Sequence, residues 1–172
     1  GFGGIRHHSY RCNWLSCIPR AGFGYFIMNA EKSRILITGS TGCIGTHTVN
    51  LLIAEGAGEI FGFNRSVPKE SEQSNNYHCI AGDLSDPESI ESVVKEVEPT
   101  HVIHLGALQT PDCRDYPMKG LDINVIGTAH LFQACSKLKN PLERFVFASS
   151  SAVNGSRSLY GPEGVRPEDP YH

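Results

Sequence analysis

The sequence has no apolar run approaching the ~18–20 residues that a bilayer-spanning helix needs, so no transmembrane helix is expected. Its six cysteines include no Cys-x-x-Cys pair and no tight framework, which argues against a small disulfide-stapled fold. His7, His8, Cys12 and Cys17 lack a second ligand cluster at metal spacing, so no zinc site is expected. Scattered single cysteines read as reduced, mostly buried thiols of an intracellular protein. An overall basic excess is missing too: residues 1–34 carry five Lys or Arg against Glu31 alone, whereas the remainder is acidic enough to bring the net charge to −3. So acidic a body argues against a nucleic-acid surface. There is no internal repeat, and no second complete domain is visible in the 172 residues.

What is present falls into two parts. Residues 1–32 begin with Gly rather than Met, and 1–27 lack acids and show neither strand alternation nor a sustained helical stripe. They read as a disordered tail: either a basic organelle-targeting segment or translated sequence upstream of a start at Met28. Residues 33–172 alternate short apolar strands with helical segments. The strands are expected at 34–38, 59–63, 77–80, 101–105 and 144–148. Helices are expected at 43–56, from Asp86-Pro87-Glu88 to Pro99, and across about 117–138 with Leu121, Val125, Ala129 and Phe132 near one face. Asp86 is placed to cap its helix, with Pro at the first turn and Glu88 near the positive end of the dipole. Strands apolar throughout, separated by helices, imply a doubly wound α/β parallel sheet of the Rossmann type, ordered 3-2-1-4-5.

Thr38-Gly39-Ser40-Thr41-Gly42-Cys43-Ile44-Gly45 lies between the first strand and the first helix. Glycines at 39, 42 and 45 suit a tight turn, close backbone approach to a pyrophosphate, and close helix–strand packing. Free amides and the positive dipole end of the helix would hold the phosphates. A turn that binds nothing accounts for the first and last glycines but not for Gly42. After the second strand, Asn64-Arg65-Ser66 offers no carboxylate for an adenosine 2′-hydroxyl, but it does offer a cation suited to a 2′-phosphate. That favours NADP over NAD.

TGSTGCIG resembles the TGxxGxxG signature of the extended short-chain dehydrogenase/reductase family, the NAD-dependent epimerases and dehydratases. Asp83-Leu84, HLGA at 104–107, NVIGT at 124–128 and SSSAVNG at 149–155 match further family motifs in order. The resemblance covers residues 33–172. It implies that Thr38, Gly39, Thr41, Gly42, Cys43, Ile44 and Gly45 meet an NAD(P) cofactor. Asn64 and Arg65 would meet its adenosine ribose, and Asp83 and Leu84 its adenine. Leu105, Gly106 and Ala107 would let its backbone pass, and Asn124 and Ser149 would lie close to it. A nucleotide sugar is the implied small-molecule substrate, and a homodimer the implied assembly of the full-length protein.

Family chemistry is hydride transfer at a sugar or alcohol carbon, with a Tyr-x-x-x-Lys pair for the proton and a Ser or Thr on the reacting oxygen. Ser150 matches that Ser and is the expected catalytic residue; Asn154 departs from the usual Tyr of the motif. No Tyr-x-x-x-Lys occurs in the sequence, and the acidic, proline-rich 167–172 resembles the lead-in to that Tyr. The expectation is a cofactor-binding half that stops before the Tyr–Lys pair, the remaining strands and the substrate lobe, inactive by itself. A non-catalytic NAD(P)-binding sensor or scaffold remains the alternative. The expected location is cytoplasmic, or an organelle if the basic N-terminal stretch is a transit peptide.

Overall fold

A computed structural model describes residues 32–67, 76–150 and 153. The expectations for residues 1–31, for Asn154 and for the proline-rich 167–172 lie outside them. Five strands pair in parallel: β1 (Arg34–Thr38), β2 (Glu59–Asn64), β3 (Tyr77–Ala81), β4 (His101–His104) and β5 (Arg144–Phe147), in the spatial order 3-2-1-4-5. β1 is central because it is apolar on both faces. Ile35 and Ile37 point into one core with Val49 and Leu52 of α1 (Cys43–Ala54), while Leu36 points into the other. That second core packs Ile90, Val93, Val94 and Val97 of α2 (Pro87–Val97) beside Leu131 and Ala134. The Asp86 side chain accepts the Glu88 N–H at 3.0 Å, so α2 starts where the sequence expects.

Chain order reverses on either side of β1: β2 and β3 lie to one side, β4 and β5 to the other. In an open α/β sheet that reversal leaves a crevice at the carboxyl ends of the strands.

The expected helix over 117–138 is instead three pieces: α4 (Pro117–Leu121), a π-helical stretch Asp122–Gly127, and α5 (Thr128–Ser136). A short α3 (Thr110–Asp115) precedes them. The expected stripe of Leu121, Val125, Ala129 and Phe132 is exposed; Ile123, Gly127, Leu131 and Ala134 face the core instead. Gly127 decides this. A β-carbon there would lie 2.2 Å from the Leu84 carbonyl oxygen, so only a glycine lets the helix approach on that side. The cysteines need a similar correction. Of the four described, only Cys135 is buried; Cys79 and Cys113 are half-buried and Cys43 is exposed, because it lies at the start of α1 beside the crevice.

His104 ends β4 fully buried. Its Nδ1 is 2.6 Å from Thr38 Oγ1 and its Nε2 is 2.9 Å from Thr128 Oγ1. Thr128 donates its one hydroxyl proton to the Asn124 carbonyl at 2.8 Å, so Nε2 must carry the ring proton. Nδ1 then accepts from Thr38, whose oxygen is left to accept the Gly106 N–H at 3.0 Å. Every proton has one place, and the ring is neutral. Burial holds its pKa down, to about 4.

Two outcomes are expected. Gly127→Ala forces a methyl onto Leu84 backbone and should lower stability by about 1–3 kcal/mol in urea unfolding. Unfolded His104 takes a proton near pH 6.5, whereas the folded chain resists until about 4. Its contribution is therefore complete above pH 6.5 and falls away toward pH 4, by roughly 3 kcal/mol at ~1.4 kcal/mol per pKa unit. His101, lowered mainly by burial with Glu143 opposing, adds a change of the same sign. Urea unfolding across that window should show the fall, and His104→Asn should flatten it.

Candidate functional site

The crevice is a cleft of about 550 Å³ with three walls. The first is the turn from β1 into α1. Gly39 has φ +72°, and a β-carbon on it would sit 2.9 Å from the backbone of Gly106. A β-carbon on Gly45 would sit 2.1 Å from the Gly39 carbonyl oxygen. Both are demanded by packing within the protein. Gly42 is different: a β-carbon there meets only the Gly39 oxygen, at 3.3 Å, and Gly42 lines the open cleft. As N-cap of α1 it has no side chain to satisfy the first amides, and the first turn carries no acid. Positive potential at that helix start is left for an anion.

Phe63, Asn64, Arg65 and Ser66 form the second wall, with Gly82, Asp83 and Leu84 after β3. Asn64 is buried, and its amide is committed inward. Oδ1 accepts from Thr41 N and Thr41 Oγ1, both at 3.2 Å, while Nδ2 donates to Ser40 Oγ at 2.7 Å and Cys79 Sγ at 3.0 Å. Arg65 and Ser66 are exposed. Asp83 Oδ1 accepts from Ser85 N and Ser85 Oγ, each at 2.9 Å. The Ser85 amide chiefly, and Arg65 among the lesser causes, hold this carboxyl below the usual range, so it is an ionised acceptor at neutral pH.

The third wall is the segment 105–109 after β4. Asn124 clamps it from behind: its Oδ1 accepts the Leu108 N–H at 2.7 Å and its Nδ2 donates to the Leu108 carbonyl at 3.0 Å.

Most of the residues expected at the cofactor thus line one cleft: Gly39, Thr41, Gly42, Cys43, Ile44 and Gly45 on one wall, Asn64, Arg65, Asp83 and Leu84 on another, and Leu105, Gly106 and Ala107 on the third. Thr38 and Asn124 lie behind the lining and hold it through hydrogen bonds. Ser149 and Ser150 follow β5, exposed and outside the lining. Sequence reasoning missed Phe63, Gly82, Leu108, Gln109 and Ile123. Gly82 carried a signal, standing beside Asp83; a β-carbon there would meet the Phe63 ring at 2.0 Å. Among the described residues no group of three or more His, Cys, Asp or Glu could hold a metal ion, and no helix is long and apolar enough to cross a membrane.

A model of the NAD dependent epimerase/dehydratase family matches residues 35–172. A UDP-glucose 4-epimerase of Pisum sativum is 31% identical over 140 residues, covering 74% of this chain and 39% of the relative. Among solved structures, the UDP-glucose 4-epimerase of Thermus thermophilus in complex with NAD aligns with TM-score 0.65 and 31% identity, over 79% of this chain and 42% of that one. That of Brucella ovis, also in complex with NAD, aligns with TM-score 0.60 and 27% identity, over 72% and 37%. The chain spans about two fifths of the length of these relatives. With its 3-2-1-4-5 sheet and its glycine turn at the switch point, the chain belongs to the NAD dependent epimerase/dehydratase family.

Proposed function

We propose that residues 33–172 form the dinucleotide-binding half of an NADP-preferring oxidoreductase that acts on a nucleotide sugar. Gly42 carries this reading: packing constrains it far less than Gly39 or Gly45, its β-carbon meeting only the Gly39 oxygen at 3.3 Å, and a phosphate group meeting the uncapped start of α1 accounts for a glycine there. The solved relatives above bind NAD, and the curated one is named for a UDP-sugar reaction, which supports the cofactor class and the substrate class.

Cofactor preference follows from the second wall. Both lone pairs of Asn64 Oδ1 are taken by Thr41 and both amide protons by Ser40 and Cys79, so Asn64 has nothing left for a ribose hydroxyl. The 2′ position falls to Arg65 and Ser66, a cation and a hydroxyl suited to phosphate. Asp83, ionised, would accept from the adenine amino group, with Leu84 against the ring. Cys43 and Ile44 would offer first-turn amides to the pyrophosphate. Gly106 and Ala107 leave room along the third wall, which Asn124 keeps in place.

The nicotinamide would supply the hydride acceptor. Ser150, just past β5, would hydrogen-bond the reacting oxygen of the substrate, with Ser149 beside it. No Tyr-x-x-x-Lys occurs among the 172 residues, the spacing that in this family sets an ammonium beside the phenol for proton transfer. On this reading the proton-transfer pair belongs to sequence outside this stretch. That same absence supports the second reading, a cofactor-binding sensor or scaffold.

Gly42→Val should abolish NADPH and NADH binding in fluorescence titration while leaving the circular dichroism of the sheet intact; undiminished affinity would reduce the loop to a turn. Arg65→Ala should weaken NADPH by roughly 10- to 100-fold, the loss of a charge-assisted hydrogen bond, and leave NADH nearly unchanged. Residues 1–172 alone should show no hydride exchange with UDP-sugars. Activity gained with a longer coding sequence that holds Tyr-x-x-x-Lys would favour the enzyme over the sensor.

A further inference from the structure

From the glycine turn a polar network runs through Ser40 and Asn64 to Tyr77 and Cys79, neither of which lines the cleft. Ser40 is 2% exposed, and its hydroxyl is 2.8 Å from Tyr77 Oη and 2.7 Å from Asn64 Nδ2. Asn64 continues it to Thr41 and Cys79. The Thr41 amide can only donate, so Oδ1 faces it and Nδ2 faces Ser40 and Cys79. Ser40 therefore accepts from Asn64 and exchanges its remaining bond with Tyr77. The turn, β2 and β3 are tied into one unit across 37 positions of sequence.

Space for this network is reserved by a glycine. A β-carbon on Gly62, in the middle of β2, would lie 2.1 Å from Ser40 Oγ and 2.7 Å from Tyr77 Oη. Glycine inside a strand weakens it and commonly marks a close approach; here what approaches is the pair of hydroxyls. Neither Ser40 nor Tyr77 lines the cleft, so neither touches what the cleft holds.

We infer that Tyr77, Ser40 and Asn64 are positioning residues that hold the Gly39–Gly42 turn in its phosphate-receiving shape before any ligand arrives. The inference rests on the dinucleotide reading above. A turn with glycines at both ends has more conformational freedom to lose on binding than one built of other residues. Ordering it in advance removes that cost from the binding step. The network grips the turn at Ser40 and Thr41, next to Gly42, and leaves the first amides of α1 facing outward.

The test compares two ligands on the whole chain by nuclear magnetic resonance titration. Adenosine would use only the Asp83–Leu84 side, whereas ADP adds the diphosphate and needs the turn. Tyr77→Phe removes one hydroxyl and keeps the ring; Ser40→Ala removes the junction of the network. Each should weaken ADP about tenfold, leave adenosine within about twofold, and speed amide exchange at Thr41 in the ligand-free chain. Equal weakening of both ligands would mean general destabilisation, and unchanged ADP affinity or unchanged Thr41 exchange would mean the turn does not depend on the network; either overturns the inference. Gly42→Val separates the two levels of argument. If it leaves ADP binding intact, the dinucleotide reading fails, while Thr41 exchange still reports on the network by itself.

Discussion

The molecule depends on one close approach, that of the turn after β1 to the segment after β4. Gly39, at φ +72°, lies so near Gly106 that neither segment can carry a side chain toward the other. A β-carbon on Gly106 would meet Leu84 Cδ1 at 2.7 Å and Thr38 Oγ1 at 3.0 Å. On the other flank the start of α1 closes on the same turn at Gly45. The turn, the segment after β4 and the start of α1 therefore meet where added side chains would collide, which leaves glycine backbone at this floor of the crevice. A backbone floor is suited to a polyanion that spans several amides and poorly suited to an apolar ligand.

Two polar networks support that floor, one on each side of β1. On the β2–β3 side, Asn64, Ser40 and Tyr77 hold the turn. On the β4 side, Thr38, His104 and Thr128 run to the Asn124 carbonyl, and the Asn124 side chain returns to Leu108. Neutrality of His104 is a requirement of this second network, because its Nδ1 must accept while its Nε2 donates. Burial supplies that neutrality by holding the pKa at about 4. Buried polar groups that are fully satisfied specify one arrangement of the elements they join, since any shift leaves a donor or acceptor unmet in a poorly solvated place. No buried side-chain nitrogen or oxygen among the described residues lacks a partner.

The sheet order was legible because each strand is short, apolar and followed by a helix, and right-handed crossovers leave few topologies for such a run. The glycine turn was legible because its three glycines stand at fixed spacing after a strand. The helical region 117–136 was not read correctly. Spacing alone puts Leu121, Val125 and Phe132 on an apolar stripe, but the side that meets the sheet is chosen by the approach of Gly127 to Leu84, 43 residues away in sequence, and by a π-helical stretch that local propensity does not announce. Phe132 stacks on Phe145 of β5 at 4.3 Å even so, held at the margin of the core. In the site, Asn64 lines the cleft as expected, but the bonds of its amide within the protein were not legible. Its amide nitrogen donates to Ser40 and Cys79, 24 and 15 positions away, beyond what a linear motif reveals.

Such bonds follow a pattern. Along each wall a motif side chain is bonded within the protein and holds a backbone segment in place. Thr38 supports Gly106, Asn64 supports Thr41 while Arg65 faces out, and Asn124 supports Leu108. A sequence signature records supporting and cleft-lining residues alike. The glycines divide likewise: a β-carbon on Gly39 or Gly45 would collide with backbone, whereas one on Gly42 would meet only the Gly39 oxygen, at 3.3 Å. Asking what a β-carbon or a side-chain hydrogen bond would meet sorts the two kinds. In this chain it separates Asn64, whose amide is bonded within the protein, from Arg65, exposed at the cleft beside it.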